Sequence, residues 1–63
     1  MRDIKSELNK ELEDLLDKKM NLSAFIGTEI FNKLPTVQKS LLVVQKDSME
    51  TYATCLYERI NNL

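Results

Sequence analysis

The sequence predicts an all-α protein, an antiparallel helical hairpin with a short helical corner, packed in a homo-oligomer and spanning residues 1–63 as one domain. Three observations predict it. Two long segments repeat apolar residues at helical spacing, the only glycine and the only proline fall between them, and no segment alternates apolar and polar residues as a half-buried strand does.

The first segment places Ile4, Leu8, Leu12, Leu15, Leu16, Leu22 and Ile26 at steps of three, four and seven, with Asp3, Glu7, Glu11, Glu13, Asp14 and Asp17 mostly between them. Asp3 is suited to capping free backbone N–H groups, so a helix is expected from about Asp3 to Ile26, a rod of roughly 35 Å at about 1.5 Å per residue. Asp14 stands four residues before Lys18, the favourable order of acid before base.

Gly27 follows Phe25 and Ile26 and suggests an exit through a left-handed conformation. The following TEIFNKL is expected to form one or two turns capped by Thr28, with Ile30, Phe31 and Leu34 packing onto the end of the hairpin. Pro35 disfavours helical geometry at Leu34 and suits the first turn of a new helix, which places a boundary at 34/35.

From Pro35 the positions Val37, Leu41, Leu42, Val44, Met49, Tyr52, Ala53, Leu56, Ile60 and Leu63 keep the helical period. Leu42, Met49, Leu56 and Leu63 form a strict seven-residue series, and Gln45 falls inside that stripe. A buried amide left without partners costs about 1 to 3 kcal/mol, so Gln45 is expected to need a partner. Val43, Val44 and Tyr57 lie off the main stripe as surplus apolar surface.

A chain of 63 residues buries only about 60% of its unfolded surface, which makes a solitary core marginal. The single cysteine and the lack of histidine remove an intrachain disulfide and the standard zinc sites, which leaves self-association as the support. Cys55 is expected to be a small buried hydrophobe, because no histidine is available to activate it. A free thiol and an N-terminus too charged for a signal peptide fit the cytoplasm.

Nine basic and ten acidic residues give a net charge of −1, which offers no general attraction to duplex nucleic acid or to an anionic membrane surface. No apolar run is long enough to span a bilayer. The sequence has no nucleophile elbow, glycine-rich phosphate loop or paired-histidine metal motif, so the expected protein is not an enzyme and uses no cofactor. A small anion needs only a few local cations. Arg2, Lys5, Lys18, Lys19, Lys33 and Arg59 are available, and a two-fold assembly doubles any such cluster.

Two spaced patterns resemble a known family. The patterns are Lys19-x-x-Leu22-x-x-Phe25-Ile26-x-Thr28-x-x-Phe31-x-x-Leu34 and Leu41-Leu42-x-x-Gln45-x-x-x-Met49-x-x-Tyr52-x-x-x-Leu56-x-x-Arg59-Ile60. Together they resemble the helical hairpin domain of small phage proteins that antagonise CBASS and Thoeris immunity. The resemblance implies an oligomeric sponge that sequesters cyclic di- and trinucleotide second messengers without cleaving them, in the cytoplasm of the infected host cell. It implies Lys18 or Lys19 as the phosphate contact, with Thr28 and Arg59 as secondary positions; Arg2 is a further candidate by its charge alone. No aromatic residue precedes Phe25, so the stacking ring that the family's dinucleotide site implies on the early first helix has no counterpart here. The alternative reading is a small oligomeric helical protein-interaction module with no nucleotide ligand.

Overall fold

A computed structural model describes residues 3–63, and it is all-helical over them. Helix α1 runs Ile4–Ile26, α2 Glu29–Asn32 and α3 Thr36–Asn61. The two long helices lie side by side and antiparallel, giving an elongated body of 48 × 15 × 14 Å.

Local chemistry sets most boundaries. The Asp3 carboxylate accepts a hydrogen bond from the Ser6 N–H at 3.1 Å and caps α1, as expected. At the corner the Thr28 hydroxyl does two jobs: it donates to the Phe25 carbonyl at 2.6 Å and accepts from the Phe31 N–H at 3.3 Å. One side chain thereby ties the end of α1 to the start of α2. Phe25 and Phe31 close the corner with rings edge to face at 6.1 Å and 86°, Phe31 being buried. Pro35 is the residue immediately before α3, with an extended ψ of 147° that stops any continuation from α2.

The core is a single seam. Leu8 and Leu15 of α1 meet Ala53 and Leu56 of α3, with Leu12, Met49 and Ile60 packed around them, and Leu56 is fully enclosed. With no third layer, among the described residues only Phe31 at the corner is buried outside this seam, and the outer faces of both long helices face water.

Several expectations are corrected by that thinness. Gln45 is exposed, so its amide is solvated and needs no buried partner. Cys55 is exposed rather than buried, because the helix turns it away from the seam beside Leu56. Leu41 and Tyr52, beside the seven-residue series, and Leu63, its last member, remain exposed, and Ile30 points outward from the one-turn α2 while Phe31 takes the buried position. The seven-residue series also drifts by about 20° per repeat on a helix of 3.6 residues per turn, so it leaves the seam towards Leu63. Gly27 leaves α1 at φ −80° and ψ 3°, with no left-handed conformation. A β-carbon there meets only the Ala24 carbonyl oxygen at 3.5 Å, so the exit depends on the hydrogen bonds around Thr28 and not on glycine.

Candidate functional site

Lys19 follows Leu12 and Leu15 of the seam at steps of seven and four on α1, and its ammonium lies 3.6 Å from the Glu50 carboxylate of α3. The lysine side chain is partly buried and the glutamate is half-exposed. This pair borders a groove of about 390 Å³ along one flank of the hairpin, lined by Leu12, Leu16, Lys19, Glu50, Ala53, Thr54 and Tyr57. The leucines and Ala53 form an apolar floor. The rim supplies a cation, a carboxylate, a hydroxyl and an aromatic ring.

Helical geometry explains the composition. Leu12, Leu16 and Lys19 follow one another at steps of four and three on α1, and Glu50, Thr54 and Tyr57 do the same on α3. The Thr54 hydroxyl donates to the Glu50 carbonyl at 3.1 Å, and the Tyr57 ring is well exposed at the end of the groove. Such a surface can place a phosphate at Lys19 and a flat ring against Tyr57.

The other flank is built differently. Glu50 and Tyr52 are two positions apart, a rotation of about 200°, and so emerge on opposite sides of the seam. Tyr52 donates its phenolic O–H to the Glu11 carboxylate at 2.8 Å. That hydrogen bond is the main cause that raises the Tyr52 pKa above its ordinary 10.0, with desolvation and the Glu11 charge acting in the same direction and the Arg59 charge opposing them. Arg59 is therefore a neighbour of the Tyr52 flank.

Among the described residues the sequence-predicted cations do not meet within one protomer. Lys19 lies on the groove, whereas exposed Lys18 is turned about 100° from it. Arg59 belongs to the opposite flank, Thr28 has its hydroxyl engaged in the corner, and Arg2 lies outside the described residues. What sequence reasoning missed is the partnership of Lys19 with Glu50, Thr54 and Tyr57. It also missed Lys39, which with Phe31, Thr36, Ser40 and Val43 lines a second groove of about 470 Å³ beside the corner. The signal for the first was the shared spacing of the two half-sites, but only the inter-helix register joins them.

Among the described residues no group of histidine, cysteine, aspartate and glutamate side chains could hold a metal ion, and no helix is long and apolar enough to cross a membrane. The fold and groove define a small helical hairpin with a polar-rimmed groove on one flank. The family model described as Sequestin matches residues 2–62, nearly the whole length, and the chain belongs to that family. The family's name points to the sequestering of a ligand, in keeping with the sponge resemblance carried by the spaced residues of the two long helices. No curated protein and no solved structure matches the chain.

Proposed function

We propose that this protein is a phage sponge that binds cyclic di- or trinucleotide second messengers and holds them without cleavage, suppressing CBASS-type defence in the cytoplasm of the infected host cell. The observation that carries the reading is the Lys19 groove, taken together with membership in a family named for sequestration. A cyclic oligonucleotide combines phosphates, hydroxyl-rich sugars and flat bases. Lys19 suits a phosphate, Thr54 suits a hydroxyl or amino group, and the exposed Tyr57 ring suits a base.

The protein acts as a homo-oligomer in this proposal, with cations of a neighbouring protomer completing the charge. Lys18, Arg59 and Arg2 are the candidates for that contribution, and Thr28 acts by holding the corner. Sequestration needs no reacting group. It needs a dissociation slow enough, and a protein abundant enough, to keep the free messenger below the level its receptor requires.

The test is recovery of the ligand. Protein is mixed with each cyclic dinucleotide and trinucleotide of a panel, separated from free nucleotide by filtration, and then denatured by heat. The expected result is retention of at least one nucleotide and its release intact. Retention of none, or release of a linear product, overturns the proposal.

A further inference from the structure

The groove beside the corner differs from the Lys19 groove in one decisive respect: no carboxylate lines it. Phe31, Thr36, Lys39, Ser40 and Val43 enclose about 470 Å³, and the four from α3 follow one another at steps of three, one and three on one face of the helix. Lys39 stands eleven residues before Glu50, about 16 Å along the axis, so the two grooves are separate sites.

The polar side chains of the corner groove are unspent. Lys39 is partly buried, yet its ammonium has no ion pair or hydrogen bond among the described residues. The Thr36 and Ser40 hydroxyls have no partner there either. On the same helix Ser48, Thr51 and Thr54 all donate to the carbonyl four residues back, at 2.9, 3.3 and 3.1 Å. The groove thus holds the hydroxyls of α3 that are free to bond a ligand.

Charge is segregated along the rod. Residues 18–46 hold five lysines and a single acid, Glu29, whereas nine of the ten acidic residues lie outside that range. Lys46 follows Lys39 by seven residues on nearly the same face, and it too is partly buried without an ion pair among the described residues. Of the described lysines only Lys19, Lys39 and Lys46 are partly buried, and of these three only Lys19 has a carboxylate partner. A chain of net charge −1 therefore presents an anion-attracting end at its corner.

We infer that the corner groove binds a phosphomonoester with a small apolar or aromatic body. The donor set selects phosphate over carboxylate: an ammonium and two hydroxyls match three terminal oxygens, one more than a carboxylate carries. The body lies against Phe31 and Val43. Phe31 is 7% accessible and held edge to face against Phe25, so this floor is fixed before a ligand arrives. The site does not rest on the cyclic-nucleotide reading. It uses no residue of the Lys19 groove, and it calls for a terminal phosphate, whereas a cyclic oligonucleotide carries only diesters with two free oxygens each.

Titration of the isotope-labelled full chain with phenyl phosphate, followed by amide chemical shifts, tests the inference. Saturable shifts centred on Phe31, Thr36, Lys39, Ser40 and Val43 are expected, with weaker binding of benzoate and none of phenol. Lys39→Met keeps an apolar stem and is expected to weaken binding by about tenfold or more, whereas Lys33→Met, at an exposed lysine of the same end, should weaken it by less than about twofold. Shifts that do not saturate, shifts centred on the Lys19 groove, benzoate binding as well as phenyl phosphate, or equal losses in the two lysine variants overturn the inference. Each of those results leaves the retention of cyclic nucleotides untouched, because that experiment reads a different ligand.

Discussion

Replacing Lys19 with alanine and, separately, Glu50 with glutamine probes the proposed groove in opposite directions. At 3.6 Å the two charges form an ion pair with side chains 31% and 47% exposed, and pairs in such settings contribute about 0.2 to 1 kcal/mol. Neither substitution therefore threatens the fold. For the ligand the two differ. A charge-assisted hydrogen bond to a phosphate is worth about 1.5 to 3 kcal/mol, so Lys19→Ala is expected to weaken binding by about 10- to 140-fold. Glu50→Gln removes the competitor for the ammonium and the negative charge nearest the phosphate. It is expected to tighten binding by up to about fivefold, the equivalent of about 1 kcal/mol. Calorimetric titration of whichever cyclic nucleotide binds best gives both values, and light scattering checks that the assembly is unchanged. Unaltered affinity in Lys19→Ala, or weaker binding in Glu50→Gln, refutes the assignment of the phosphate to this groove.

Two further predictions concern the scaffold. Leu56 is the one side chain completely enclosed among the described residues, and truncating a buried leucine to alanine costs about 2 to 5 kcal/mol. A chain of this length has only about 3 to 9 kcal/mol in total, so Leu56→Ala should lower the unfolding free energy by about 2 to 5 kcal/mol in a urea titration followed by helical circular dichroism, whereas Met20→Ala, at a 66% exposed site, should shift stability by less than about 0.5 kcal/mol. The second prediction concerns alkaline pH. Because the folded state raises the Tyr52 pKa above 10.0, the Tyr52–Glu11 hydrogen bond stabilises the hairpin below that value and the contribution disappears as pH rises through the folded-state pKa. The melting temperature of a Tyr57→Phe protein should therefore fall above this range more steeply than that of the Tyr52→Phe, Tyr57→Phe double variant, and parallel profiles contradict the assignment.

The parts of the structure legible in sequence are those decided within a turn or two of the chain. The Asp3 cap, the Thr28 cap and the break before Pro35 each depend on a side chain bonding to its own backbone, or on a ring that forbids continuation, and all three stand where the sequence places them. The seam was also legible in outline, since Leu8, Leu15, Ala53 and Leu56 follow the helical period. Width was not. Periodicity marks residues that a neighbour can cover, but a hairpin supplies one neighbour per helix, and so Leu41, Gln45, Tyr52 and Cys55 are left in water.

The candidate site was legible only in its parts. Lys19 is visible as a cation at the edge of an apolar stripe, and Tyr57 as an aromatic residue off the stripe of α3. Their membership in one groove follows from the offset between α1 and α3, which the corner at residues 27–35 sets through its length and its Thr28 and Phe31 contacts. The same offset separates Lys18 and Arg59 from Lys19, although all three are basic residues on long helices.

The central claim is that the protein captures a cyclic oligonucleotide, and isothermal titration of the purified chain with a panel of cyclic di- and trinucleotides tests it most directly. The account predicts saturable binding of at least one member at micromolar protein or below, with a stoichiometry that is a simple fraction of the protomer concentration. No heat of binding from any member, at several temperatures so that a vanishing enthalpy is excluded, contradicts it and leaves a helical interaction module in its place.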